Sequence, residues 1–226
     1  MNLHRNALAL KDLLWKHRIG LLLLFCGMAI PLILLEDLME GVHRQRNWGW
    51  DEQILQQVHA HASQRKDFVA YWATKLGYWV ALPVLGGAIA FLRHLKNAAG
   101  AAYFALTVFG AWIMNGIVKL FFGRVRPDLW TSILPETSFS FPSGHSMISM
   151  ALAFAVVVLL WPTRWRWIAL ILAPISVFLI GASRIYLGVH YPSDVLGGWS
   201  AGLIWATGVY FICRRYLRAS LPETPL

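Results

Sequence analysis

Six side chains in the second half of the chain have the types and spacing to handle a phosphoryl group. Lys119, Arg126 and Arg184 are cations in or beside long apolar runs, where an unpartnered charge is expensive and marks a functional position. Arginine's planar fork matches phosphate oxygens, and lysine adds a compact point charge. Local acidic residues are few (Asp128, Glu136 and Asp194), so an external anion would balance the excess. His190 stands four residues before Asp194, close enough for the carboxylate to hold one ring nitrogen while the other is free to attack. His145 could then protonate the leaving oxygen as a general acid. One phosphate between two imidazoles implies in-line displacement through a phosphohistidine, with positioning and charge stabilisation doing most of the catalytic work.

Backbone donors complete this picture. Pro142 and Pro192 lie just before apolar runs, where proline suits a first helical position. Residues Ser143, Gly144 and His145 then fall in the first turn of one helix, and both helix starts, whose free N–H groups and dipoles favour an anion, are expected to join the three cations in a phosphate cradle. Gly144 would let that anion approach the backbone closely. Each residue alone has an ordinary reading. Lys119 and Arg126 could snorkel to lipid headgroups, His145 could be a polar helix start, and Asp194 could be a cap. Their joint spacing and a common side of the membrane point to a site instead.

That common side follows from the elements that must position them. The chain has 226 residues, 58% of them hydrophobic and only 14% charged, against about a quarter charged in soluble domains. It reads as one all-α, polytopic membrane domain over residues 1–226. Six stretches are expected to cross: 18–35, 68–92, 98–122, 145–161, 167–187 and 195–217, each helical because lipid offers the backbone no hydrogen-bond partners. With a cytoplasmic N-terminus, eleven of the twenty Lys and Arg fall on the inner side, which favours both termini inside. The first stretch is read as a retained span, since acidic residues rather than a small-residue cleavage site follow it. The loops after the third and fifth spans then face outward, so all three polar clusters meet at the outer surface. Residues 36–67 form an outer loop with a short amphipathic helix, for which Asp51 is a candidate cap. Trp48 and Trp50 suit the membrane–water interface.

The pattern K-x6-RP at Lys119–Pro127, PSGH at Pro142–His145 and SR-x5-H-x3-D at Ser183–Asp194 resembles the type 2 phosphatidic acid phosphatase family. Bacterial acid phosphatases and vanadium haloperoxidases share it. The resemblance implies His190 as nucleophile, Asp194 as its partner and His145 as the acid. It also implies Lys119, Arg126 and Arg184 as phosphate ligands, joined by Ser143 and the Gly144 backbone, with no metal and no cofactor. The substrate class it implies is a phosphorylated lipid such as undecaprenyl diphosphate, phosphatidylglycerol phosphate, phosphatidic acid or lipid A, met at the outer face of a bacterial inner membrane.

Competing classes fare worse. The net charge of +9 would suit nucleic acid in a soluble protein, but no basic–aromatic motif accompanies it, and basic residues at the ends of apolar runs suit anionic membrane lipids. A transporter favours ionisable groups near the bilayer midplane, whereas these sit at span ends. A phosphotransferase using the same phosphohistidine remains an alternative to hydrolysis. His59 and His61 are two apart and do not share a helix face, so they are not read as metal ligands. Cys26 and Cys213 fill space inside apolar runs. Gly198 and Gly202 indicate close helix packing. Arg124 falls outside the motif, either at a second phosphate or at the bilayer surface.

Overall fold

The computed structural model describes residues 25–220, apart from Asn47, Trp79 and Val80, together with Trp15, Arg18 and residues 20–22. The basic N-terminal residues Lys11 and Lys16 and the tail Leu221–Leu226 lie outside that set. Every regular element described is helical. A π-helical turn, Phe25–Ala29, leads into α1 (Ile30–His43). Then come α2 (Gly49–Ala60), α3 (Gln64–Tyr78), α4 (Ala81–His94), α5 (Ala98–Phe122), α6 (Gly144–Leu160), α7 (Arg166–Tyr186) and α8 (Pro192–Ser220).

Among the described residues, four stretches are long and apolar enough to cross a membrane: Gly20–His43, Ala98–Phe122, Arg166–Tyr186 and Pro192–Arg218. Helix α6 is apolar but shorter, at 17 residues. Helices α3 and α4 cover the crossing expected at 68–92, and the two residues between them lie outside the described set.

Helix α6 is the centre of the bundle and packs against α5, α7 and α8. Its contacts are built from small residues. Ala151 on α6 meets Ala111 on α5 and Ala206 on α8, and one turn on, Ala155 packs with Tyr103, Phe104, Val108 and Val209. Between helices in lipid there is little hydrophobic gain, so close backbone approach supplies the attraction. Gly198 and Gly202 take this furthest. A β-carbon on Gly198 would lie 2.6 Å from the Ser143 carbonyl oxygen, and one on Gly202 would lie 2.5 Å from that of Met147. The first turn of α6 is therefore seated directly on the α8 backbone. Outward faces carry exposed Trp112, Ile113, Ile117, Ile171, Leu172 and Phe178, as a bilayer requires.

Two termini aim the polar loop. The Asn97 side chain accepts the Gly100 N–H at 2.7 Å and starts α5. Gly123 ends it in the left-handed region (φ 59°) with its N–H on the Lys119 carbonyl, a backbone state glycine adopts without strain. The chain then runs irregularly from Arg124 to Ser143 across the end of the bundle. Helix α2 lies against α7 and α8, anchored by buried Leu55. Asp51 does not cap it: Trp48 is the N-cap residue, without a side-chain bond. The Trp48 ring packs with Leu38, Val42 and Phe141.

Candidate active site

A cavity of about 400 Å³ opens where α3, α5, α6 and α7 meet the Arg124–Ser143 segment. Lys119, Gly144, His145 and Arg184 line it, together with Thr74, Asn115, Glu136 and Ser138. Four sequence-predicted residues thus share one wall. The first turn of α6 faces the cavity as expected. Asn115 braces it by donating to the Pro142 carbonyl at 3.1 Å. Ser143 is turned away: its buried hydroxyl caps α6, accepting from the Ser146 N–H and, at 3.0 Å, from the Ser146 hydroxyl.

Glu136 joins the cations. Its carboxylate accepts from Arg126 at 2.7 Å and from Arg184, and lies 4.0 Å from Nδ1 of His145. The two arginines outweigh the effect of burial and hold this carboxyl below its usual range. Ser138 links the remaining cation: its hydroxyl accepts from Lys119 and from Arg126, each at 3.0 Å. Arg184 also donates to the buried Thr74 hydroxyl.

His190 lies behind this wall, fully buried. Arg126 reaches it, with one guanidinium nitrogen 3.1 Å from Nε2 and 2.5 Å from the Val189 carbonyl. Guanidinium only donates, so Nε2 is the accepting nitrogen and the proton of the neutral ring is on Nδ1. That nitrogen faces Asp194 Oδ2 at 3.4 Å, a loose contact of the kind that tightens when a reacting group is bound. Burial, with Arg126 and Arg184 nearby, pushes the imidazole well below its ordinary pKa, so the ring is neutral at pH 7.

Asp194 is buried in the first turn of α8 and fixed from several directions. Oδ2 accepts from the Ser140 hydroxyl and, at 2.9 Å, from the Tyr191 N–H. Oδ1 accepts from Arg124 at 2.6 Å. The start of α8 therefore does not join the cradle as a second anion site. Its Ser193 N–H is taken by Asp51 at 2.9 Å. Arg124 likewise pairs with two internal carboxylates, Asp51 and Asp194, rather than lying free at the bilayer surface.

Other expectations resolve more simply. His59 stacks on Trp130 with centroids 4.0 Å apart, and His61 Nδ1 lies 2.8 Å from the Gln57 carbonyl. The Tyr186 hydroxyl is tied to Asp67 at 2.5 Å. Sequence reasoning missed the roles of Asp51, Thr74, Asn115, Glu136 and Ser140. Glu136 carried a signal, being one of three acidic residues among the cationic motifs.

Residues 100–218, just over half of the chain, match the PAP2 superfamily. The chain belongs to that superfamily. Named relatives match about half of the chain or more. It is 39% identical over 134 residues to "Phosphatidylglycerophosphatase B" of Bacillus subtilis, covering 52% of this chain and 66% of that protein's length. It is 27% identical over 188 residues to "Undecaprenyl-diphosphatase" of Sulfolobus acidocaldarius, covering 80% and 84%. The crystal structure of a transmembrane PAP2-type phosphatidylglycerolphosphate phosphatase from Bacillus subtilis superposes with a TM-score of 0.73 at 27% identity, over 87% of this chain and 98% of that one. The PAP2 match and the apolar helices together make this a membrane protein of the lipid phosphatase family.

Proposed function

We propose that the protein is an integral membrane lipid phosphatase that removes a terminal phosphate at the outer leaflet through a phosphohistidine on His190. The observation that carries this reading is the path from His190 Nε2 to the cavity. Arg126 touches Nε2, and Glu136 connects Arg126 to Arg184 beside His145. The Glu136 carboxylate sits where a phosphoryl group would bridge the two arginines, so the cluster already accommodates an anion. A phosphate exchanging with it would lie between the two imidazoles.

In the first half-reaction, Nε2 of neutral His190 attacks phosphorus, forming P–N as the bond from phosphorus to the leaving oxygen breaks. His145, which takes up a proton as the phosphate anion binds beside it, gives that oxygen the proton. Asp194 stabilises the Nδ1–H of the phosphorylated ring. Water then attacks phosphorus, neutral His145 takes its proton, and the P–N bond breaks to return neutral His190. Lys119, Arg126, Arg184 and the Gly144 N–H hold the equatorial oxygens, where fixed donors stabilise developing charge, while Ser143 caps the helix that presents Gly144. This scheme assigns charge stabilisation to protein cations, so it requires no metal.

Six crossings fit this reading, with α3 and α4 together supplying the second and α6 the fourth, and with both termini cytoplasmic. Phosphatidylglycerol phosphate and undecaprenyl diphosphate are the substrates favoured by the activities named for the two relatives. Purified protein in detergent, assayed with chelator against a panel of lipid phosphates, should release free inorganic phosphate. Labelled phosphate appearing on an acceptor lipid instead would establish a transferase, and no turnover of any lipid phosphate would refute the reading.

A further inference from the structure

The cavity accounts for Arg126 and Arg184 but leaves Arg124 and Asp51 without a part in the chemistry. Both belong to one buried chain of contacts. Asp51, on α2, is 2% exposed and lies 142 residues from Ser193 in sequence. Its Oδ1 accepts the Ser193 N–H at 2.9 Å. Its Oδ2 accepts the Ser193 hydroxyl and, at 2.9 Å, Arg124. The other terminal nitrogen of Arg124 donates to Ser193 Oγ at 2.7 Å and to Asp194 Oδ1 at 2.6 Å. The guanidinium is also held between aromatic rings, 4.2 Å from the Tyr191 centroid and 5.4 Å from that of Trp48, a geometry that favours a fixed cation.

We propose that Asp51 is a positioning residue for Asp194, acting through Arg124 and Ser193, so that the docked surface helix α2 sets the place and effective charge of the carboxylate behind His190. This rests on the phosphohistidine reading above. Asp51, Arg124 and Asp194 together carry one net negative charge. With Asp51 present, the Arg124 charge is shared between two carboxylates, and Asp194 keeps enough field to stabilise the Nδ1–H of a phosphorylated ring. With Asp51 neutral, the guanidinium acts on Asp194 alone and cancels more of that field. A buried pair at this spacing is weakly screened, so the change is felt at His190. The Ser193 bonds matter separately, because they fix the α8 turn from which Asp194 projects.

The test uses the full-length protein in detergent, with a short-chain phosphatidic acid as substrate. Asp51→Asn keeps the shape and the acceptor oxygen but removes the charge. Its kcat should fall at least about tenfold, with KM within about twofold, and Asp51→Glu should recover part of the loss. Arg124→Lys should show the same split, because one ammonium cannot reach both carboxylates as a fork does; it decides the matter if Asp51→Asn does not fold. Leu55→Ala opens a cavity beneath α2 while the Asp51 bonds to Ser193 and Arg124 still hold the helix in place, so it should lower Tm yet keep wild-type kcat well below that Tm. Unchanged kcat in Asp51→Asn or in Arg124→Lys overturns the proposal, as does an equal loss in folded Leu55→Ala. Wild-type protein that releases no phosphate would defeat the phosphatase reading and this inference with it. Active wild type with unaffected variants defeats the inference alone.

Discussion

One guanidinium nitrogen of Arg126 lies 3.1 Å from Nε2 of His190, while the other terminal nitrogen lies 2.7 Å from the Glu136 carboxylate. A single side chain thus touches both the buried imidazole and the anion seated at the cavity. Arg126 can orient the ring before substrate arrives and hold a phosphoryl oxygen afterwards.

Replacing Arg126 should therefore damage the chemical step more than binding. Arg126→Lys keeps the charge but loses the fork that spans Nε2, Glu136 and the Ser138 carbonyl. A kcat loss of about 10² to 10³ is expected, the range for removing one transition-state donor. Steady-state kinetics on lipid phosphate check it, and a variant that raised KM alone would show that Arg126 only binds substrate.

Acid should destabilise the protein in two stages. The folded pKa of His190 is pushed well below its ordinary value of 6.5. As pH falls through about 6.5 the unfolded chain takes up a proton that the folded protein refuses, so stability drops. The folded pKa of Glu136 is also depressed, from 4.5, so its contribution is present above about pH 4.5 and is lost as pH falls further. Each proton contributes at most about 1.4 kcal/mol per pH unit. The midpoint of thermal unfolding in detergent should fall as pH drops below 6.5, with a shallower fall for His190→Gln between 6.5 and 4.5. An identical slope in that variant would remove His190 from the account.

Helix packing at Gly198 should couple stability to the site. In Gly198→Ala the new methyl meets the Ser143 carbonyl at 2.6 Å, and backbone cannot move aside as a flexible side chain can. A destabilisation of about 1–3 kcal/mol is expected, typical of overpacking, read as a lower midpoint of unfolding. Because Ser143 caps the helix that begins at Gly144, kcat should fall as well. Alanine at Gly208, where a β-carbon meets nothing within 4 Å, is the control and should change neither.

Lys119, Arg126, Gly144, His145, Arg184 and His190 were read from the sequence as one site, and the structure places the first-turn pair, Lys119 and Arg184 on the cavity wall with Arg126 and His190 behind it. Their polarity stands out against apolar runs, and span counting put them on one side. Glu136, Ser138 and Ser140 were not, because an irregular segment has no periodicity to say where its side chains return. Asp51 was invisible for the same reason at longer range: only the docking of α2 brings it to Ser193. The start of α8 looked like an anion site by its local pattern, but Asp51 already occupies its N–H group.

The central claim is that phosphate passes through a covalent bond to His190. Rapid quenching of purified enzyme with lipid substrate labelled in its terminal phosphate tests it most directly. The account expects labelled protein within the first turnover, stable to base and labile to acid as a phosphoramidate is, mapping to His190 and absent in His190→Ala. Full turnover with no labelled protein, or label retained in His190→Ala, would contradict it.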